Sequence, residues 1–374
     1  GIEAITKKEI SRLGYGDHPA ENGAITLEGS ELDVARLNMF LRTADRVYIV
    51  LKEFPSYTFD DIYDNVYEFP WEDYMQPDSE VLVDGKCVKS TIFAISATQK
   101  VVKKAIMNRL SDKYKTKNLS ESGERFRVYF SNVNDKFSLM LNTSGPGLHK
   151  RGYRDYVAKA PIKETLASAM LMLSDFYYDK TFVDPFCGSG TFVIEAANIA
   201  LNIAPGKYRS FDYTGWSFFD KTAYKSALTE AMDKERDYKL DFYGSDIDGK
   251  AINLAERHAE NAGLTGKIKF FKKDIKDFDF TEPFGTIVTN PPYGERLMDK
   301  ENVTGLYKTL GKVYSKLDNW SLFLITSADG FERAFGRRAD KNRKVFNSDL
   351  ECRIYEYFRK EKYFRNGKKG ENND

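Results

Sequence analysis

Residues 286–294 read Thr286-Ile287-Val288-Thr289-Asn290-Pro291-Pro292-Tyr293-Gly294, and this stretch decides the fold. The apolar run up to Thr289 has the length and character of a buried strand. It cannot continue past Asn290. Neither proline can donate a ladder hydrogen bond, and each biases the residue before it toward extended geometry. The result is a stiff rim at the carboxyl end of a strand, carrying one amide and one aromatic ring. Open α/β sheets bind ligands at such edges.

On either side of this rim the chain keeps one rhythm. Short apolar runs at 181–183, 242–244, 268–271 and 321–326 alternate with helical stretches at 161–176, 191–201, 250–262 and 305–317. Repeated strand-loop-helix units predict a mostly parallel, doubly wound sheet. A further strand is expected at 353–358, and the polar residues 366–374 are expected to fray. Residues 202–240 interrupt the rhythm as an insertion with several aromatics and a helix near 221–234.

The first half has shorter units. Residues 3–13 form a helical stretch anchored by Ile5 and Ile10, 24–27 a short strand, and 47–51 a strong one. Between them Ser30 caps a helix that turns Leu32, Ala35, Leu37 and Phe40 inward. A second helix at 58–69 is ended by Pro70. Strands at 81–83 and 90–96 are expected to flank a turn at Asp84-Gly85, followed by a basic helix at 99–115 and strands at 126–130 and 137–141. Ser144-Gly145-Pro146-Gly147 breaks the pattern. The expected division is a unit at 1–54, a second at 55–145, a linker at 146–160 and a larger α/β domain at 161–374.

Composition limits the function classes. A chain of 374 residues has room for two or three domains of about 100–200 residues each. The formal net charge of +1 means that any basic surface must be local. Cys87, Cys187 and Cys352 are far apart and odd in number, which argues against a disulfide framework and fits a reducing cytosol. No Cys/His grouping has zinc spacing, so no metal is expected. No apolar stretch approaches the roughly 18 residues that span a bilayer, and no signal peptide is evident. A cytoplasmic protein is the expectation. The chain opens on Gly1, which suggests a trimmed start.

Four loops lie at the carboxyl ends of the parallel strands. The first is Asp184-Pro185-Phe186-Cys187-Gly188-Ser189-Gly190-Thr191. Its glycines let backbone approach a ligand, and the following helix offers free N–H groups. It is neither a dinucleotide fingerprint nor a P-loop. A carboxylate there suits a ligand with a cationic amino group, although a glycine-rich turn around a structural aspartate would read the same. The second loop is Ser245-Asp246-Ile247-Asp248. An acid after the second strand of such a fold accepts hydrogen bonds from ribose hydroxyls, and Asp248 reads equally well as a helix N-cap. Asp246 stands 62 positions after Asp184, and the insertion at 202–240 accounts for the excess. The third loop holds Asp274, placed to accept from an adenine amine or to be a plain loop aspartate.

The fourth is the opening stretch. An amide oxygen and a proline carbonyl can accept both hydrogens of an exocyclic amine and so aim its lone pair at an electrophile. Tyr293 can stack on the base that bears the amine, a contact worth roughly 1–3 kcal/mol. Positioning of this kind supplies about 7–11 kcal/mol in favourable cases. Together the loops describe S-adenosylmethionine beside an aromatic amine.

At this point the sequence resembles a known family. The 184–191 and 290–293 stretches look like motifs I and IV of class I amino-methyltransferases, and Ala160-Pro161-Ile162-Lys163-Glu164-Thr165 resembles their motif X. Nearly the full length is similar to THUMP-domain RNA methyltransferases of the bacterial RlmL type, which methylate guanine N2 in large-subunit (23S) rRNA. The stretches 148–154, 289–297 and 337–344 carry that narrower match. The resemblance implies a Rossmann-like class I methyltransferase sheet preceded by α+β ferredoxin-like and THUMP units. It implies that Asp184, Pro185, Phe186, Gly188, Ser189, Gly190 and Thr191 surround the cofactor's methionine part. Asp246 and Ile247 would hold the ribose and Asp274 the adenine. Asn290, Pro291, Pro292 and Tyr293 would be catalytic, with Asn290 also at the cofactor, and S-adenosylhomocysteine would be the product. Three departures are visible. The first strand of the N-terminal unit is expected to lie before residue 1, Gly285 stands where many relatives carry an acid, and no second methyltransferase domain follows, so a single methylation is expected.

The expected partner is rRNA, with no membrane. Basic tracts at 100–117, 149–154 and 333–344 are candidates for phosphate contacts. In the linker, Tyr153 could stack while Lys150, Arg151 and Arg154 meet phosphates; the same residues could instead form an interdomain strap. Two rival functions stand beside this one. A DNA adenine-N6 methyltransferase needs the same aligned amine, and a non-catalytic RNA-binding assembly factor could keep the same fold.

Overall fold

The computed structural model describes residues 2–21, 23–155, 162–293 and 300–360. Helix α1 (Glu3–Ile10) is followed by a two-residue ribbon, β1 (Ala20–Glu21) with β2 (Ala24–Ile25), and by α2 (Glu31–Phe40). A reciprocal capping box starts α2: the Ser30 hydroxyl accepts from the Asp33 amide, and the Asp33 carboxylate accepts from the Ser30 amide. Next come β3 (Tyr48–Pro55), α3 (Phe59–Glu68), β4 (Glu80–Val88), α4 (Ile95–Tyr114), β5 (Arg125–Val133) and β6 (Lys136–Asn142). They form a four-stranded sheet in the order β3-β6-β5-β4, in which only β4 and β5 are parallel. The strand that ends the first unit in sequence, β3, is thus built into the sheet of the second.

Two expectations fail here. Asp84-Gly85 is not a turn, because β4 runs straight through it and pairs with β5 over its full length. Residues 90–96 are not a strand; α4 already begins at Ile95. The reason is steric. Gly85 sits opposite Phe130, whose ring would lie 2.5 Å from any Cβ there, so this glycine makes room for a neighbouring ring.

The second half contains α5 (Glu164–Leu173), β7 (Thr181–Asp184), α6 (Thr191–Ala200), α7 (Lys221–Asp233), β8 (Phe242–Asp246), α8 (Gly249–Asn261) and β9 (Lys269–Lys272). It continues with β10 (Gly285–Thr289), α9 (Lys300–Tyr314), β11 (Trp320–Thr326), α10 (Phe331–Phe335), β12 (Lys341–Asn347) and β13 (Leu350–Tyr357). The seven strands are ordered β12-β13-β11-β10-β7-β8-β9. Strands β7 to β11 are parallel, and β13 is antiparallel to both β11 and β12. The basic tract at 333–344 therefore includes an edge strand, where lysines discourage pairing with other chains. The helix start expected at Pro161 lies outside the described residues.

The insertion joins the two halves. Phe211, Tyr213, Trp216, Phe219 and the alanines of α7 belong to the same apolar core as α2, α4 and the four-stranded sheet. Trp216 Nε1 donates to the Arg125 carbonyl at 2.8 Å, while Arg127 pairs with Asp212 at 2.9 Å and Arg36 with Glu230 at 2.7 Å. Among the described residues no helix is long and apolar enough to cross a membrane.

Candidate active site

The sheet brings all four loops to one edge. Strand β7 is fully buried and ends at Asp184, which is 1 % exposed. Its Oδ1 accepts from the Thr289 hydroxyl at 2.6 Å and from the Phe186 amide at 3.1 Å. Thr289 is the last residue of β10, so this bond ties the first loop to the strand that carries Asn290. Burial pushes the Asp184 carboxyl up to about 7, against the pull of those two donors.

Between Asp184 and α6 the backbone turns through Gly188 at φ +49° and Gly190 at φ +84°. These glycines do different work. A Cβ on Gly190 would press on Ala255 and Phe270 at 3.0 Å, whereas one on Gly188 would meet nothing within 4 Å. Gly188 thus leaves open space in the loop, and Gly190 allows α6 to pack against α8 and β9. No side chain caps the start of α6, so its first amides have no side-chain acceptor. The loop is held from behind by His258, which is fully buried and whose Nδ1 lies 3.1 Å from the Ser189 carbonyl. Burial lowers its pKa, so the ring is neutral near pH 7.

Asp246 ends β8 and fastens the second loop to the first. Its Oδ2 accepts from the Gly188 amide at 3.0 Å and its Oδ1 from the Asp248 amide at 2.9 Å. Asp248 is the N-cap of α8, accepting from the Lys250 amide, while Ile247 is largely exposed beside it. Asp274 caps a short turn through the Lys276 amide at 3.1 Å. That bond, with the nearby Lys276 ammonium, keeps its carboxyl below the usual range.

At the fourth loop Pro291 is buried, and the Pro292 carbonyl accepts from the Tyr307 hydroxyl at 3.3 Å. Tyr293 is half-buried, its hydroxyl 3.9 Å from Cys352 Sγ. Asn290 Oδ1 is buried and has no hydrogen-bond partner. Buried amide oxygens are rarely left unpaired unless a ligand or water completes them.

A family model described as "RMKL-like, methyltransferase domain" matches residues 151–356. The chain belongs to this RMKL-like methyltransferase family. Models for an "RlmL ferredoxin-like domain" and a "THUMP domain" match residues 1–48 and 56–142. The "Putative RNA methyltransferase YpsC" of Bacillus subtilis (strain 168) is 41 % identical over 363 residues, covering 96 % of this chain and 94 % of that one. The "Ribosomal RNA large subunit methyltransferase K/L" of Buchnera aphidicola is 34 % identical over 94 % of this chain. This chain spans about half of that protein, 52 % of its length. Two crystal structures superpose with a TM-score of 0.89. One is of a "predicted N6-adenine-specific DNA methylase" from Listeria monocytogenes, at 43 % identity and covering 96 % of this chain and 94 % of that one. The other, SMU.472 complexed with SAH, is 38 % identical and covers 97 % of each chain.

In this methyltransferase three of the four candidate RNA-contact residues of the linker, Arg151, Tyr153 and Arg154, are turned inward as a strap onto the catalytic half. Arg151 is 3 % exposed and donates to the carbonyls of Leu148 and Arg42 at 2.8 and 2.6 Å. It also lies 3.4 Å from Glu195 on α6, a carboxylate 1 % exposed. Tyr153 is 2 % exposed and donates to the same carboxylate at 3.1 Å. Arg154 pairs with Glu164 at 3.2 Å and donates to the Thr191 hydroxyl. A buried carboxylate needs donors and a counter-charge, and the linker supplies both. Only Lys150 of the four is exposed. Sequence reading gave Glu195 and His258 no role. Glu164 stood within the motif X resemblance, but nothing in the sequence paired it with Arg154.

Proposed function

We propose that this methyltransferase transfers the methyl group of S-adenosylmethionine to the exocyclic N2 amine of a guanine in large-subunit rRNA. The observation that carries the reading is the unpaired, buried Oδ1 of Asn290 at the carboxyl end of β10. It is an acceptor waiting for a donor, and an exocyclic amine is a donor. The Gly188 space and the uncapped start of α6 fit a nucleoside-linked amino acid beside it. Asp184, Gly188, Ser189, Gly190 and Thr191 would hold its methionine part, Asp246 and Ile247 its ribose, and Asp274 its adenine. When bound, this cofactor supplies an electrophilic methyl group on a sulfonium.

The chain's own contribution is orientation. Asn290 Oδ1 and the Pro291 carbonyl accept the two amine hydrogens, which fixes the nitrogen lone pair toward the methyl carbon. The Tyr293 ring supports the base. No side chain has to remove a proton before attack, because the amine is already a neutral nucleophile. The THUMP and ferredoxin-like units favour an RNA partner, and the name of the K/L relative favours large-subunit rRNA.

The name of the Listeria structure favours a second reading, adenine N6 in DNA, since Asn290 would orient that amine equally well. Mass mapping of rRNA and DNA from cells lacking the protein separates the two. Loss of one N2-methylguanosine is the expected result. An unchanged rRNA pattern with lost N6-methyladenine in DNA would replace this reading with the second.

A further inference from the structure

Two cavities meet at α10. One, of about 490 Å³, is lined by residues 330–333 and 336–338 and by Tyr355 of β13. The other, of about 520 Å³, lies between the second half of α9, the loop before β11, and residues 334–337 and 358–360. They share Gly336 and Arg337. Tyr355 pairs with Leu324 in the carboxyl-terminal half of β11, and Trp320, which lines the second cavity, is the first residue of that strand. The two cavities therefore form one trough along β11, from the edge that carries the cofactor loops to the opposite end of the sheet. Seven strand residues make it roughly 20 Å long.

The trough is basic, and its charge is not neutralised within the fold. Among the described residues Lys308, Lys312, Arg333, Arg338 and Lys360 line it, are exposed and form no ion pair. Its acids are Asp318 and Glu332, and Glu332 Oε1 already accepts from the Ala339 amide at 2.7 Å. Arg359 is tied to Asp175, and Arg337 lies 3.4 Å from Asp340. Other basic stretches carry their own counter-charges. On α4, Lys103 pairs with Glu121, and Arg109 and Lys113 pair with Glu72. On β12, Arg343 and Lys344 pair with Glu356 and Glu351.

Unpaired cations lining a concave channel concentrate a polyanion. The second cavity also holds Phe358, which is 44 % exposed and whose amide donates to Asp340 Oδ2 at 2.7 Å. An aromatic ring beside phosphate donors suits an unpaired strand better than a duplex.

We propose that this trough holds the backbone of a single RNA strand flanking the target nucleotide. Arg333 and Arg338 meet phosphates near the catalytic edge, and Lys308, Lys312 and Lys360 meet those further along. This rests on the RNA reading above and places part of the substrate grip on the catalytic half, apart from the THUMP unit. Phosphate contacts fix register and direction without reading sequence, so the trough contributes affinity and not base choice.

The test uses a fragment of unmodified large-subunit rRNA spanning the methylated position, and two shorter forms, each trimmed on one side of that position. Equilibrium binding is measured against salt for wild-type protein and for two double variants, Arg333→Gln with Arg338→Gln and Lys308→Gln with Lys312→Gln. On a single strand each neutralised phosphate contributes about 0.7 to the salt slope, so each double variant should lower the slope by about 1.4. Cofactor affinity should stay at the parent value. Trimming one flank should weaken wild-type binding and remove the difference between wild type and variants; trimming the other should leave that difference in place. A parent salt slope in both variants would overturn the proposal, as would a variant deficit that survives the loss of either flank. The four residues are exposed, and retained cofactor affinity shows that each variant is folded. Failure of the guanine-N2 reading looks different: wild-type protein would yield no N2-methylguanosine in the untrimmed RNA, whatever its salt slope.

Discussion

Replacing Glu195 with leucine should destabilise the catalytic half severely. The carboxylate is 1 % exposed and accepts from Ser168 at 2.6 Å and Tyr153 at 3.1 Å, with Arg151 at 3.4 Å. Its removal leaves the Arg151 guanidinium, itself 3 % exposed, without its counter-charge. Breaking one side of a buried ion pair costs about 3–5 kcal/mol. For a unit of about 200 residues, each kcal/mol lowers Tm by about 2–4 °C. The expected loss is therefore roughly 6–20 °C, read by calorimetry at fixed pH and salt. Replacing the pair together, as Glu195→Leu with Arg151→Met, should recover most of it, because well-packed apolar pairs can substitute for buried ion pairs. RNA affinity of the double variant should stay near the parent value. The reasoning fails if Glu195→Leu moves Tm by less than about 2 °C, or if Arg151→Met keeps Tm and weakens RNA binding tenfold. Either result would return Arg151 to the RNA surface.

Asn290→Ala should cut methyl transfer about 10²–10³-fold, the scale for losing one pre-aligned polar group, with cofactor affinity nearly unchanged by calorimetry; near-parent activity would remove its orienting role. Asp246→Ala should weaken cofactor binding first, because it frees the Gly188 amide and removes the proposed ribose acceptor; unchanged affinity would sink that assignment. The raised carboxyl of Asp184 gives a signed pH effect. The folded protein keeps a proton there up to about pH 7, while the unfolded chain releases it near pH 4, so this stabilisation is complete below about pH 4 and is lost as pH rises through 7. Asp184→Asn should flatten that fall in Tm. A cationic ammonium at the strand end favours the carboxylate, so cofactor binding should release protons near pH 7. Calorimetry in two buffers of different ionisation enthalpy checks this, and no proton uptake by either buffer would contradict it.

Local patterns carried much of the fold. The strand ending in Asn290-Pro291-Pro292, the glycine loop after Asp184 and the Ser30 capping box each depend on neighbours in sequence. Distant pairing was less legible. Gly85 looks like a turn until Phe130 is found opposite it. Arg151 and Tyr153 look like RNA contacts until Glu195, more than 40 residues away, is found buried between them. The aromatic insertion likewise acquires its purpose only when Trp216 and Asp212 meet β5. In each case a residue's burial is set by a partner that no local window contains. The acceptor of Asn290 was legible only as an amide; that it is buried and unpaired is a property of the folded edge.

The central claim is that the rim at Asn290 presents a guanine amine for methylation. Its most direct test incubates the purified protein with S-adenosylmethionine carrying a deuterated methyl group and rRNA from cells lacking the protein, followed by nucleoside mass spectrometry. The account predicts deuterated N2-methylguanosine as the labelled product, at one position in large-subunit rRNA, and none with Asn290→Ala. Label in adenine N6, or no label in any RNA while duplex DNA is methylated, would contradict it.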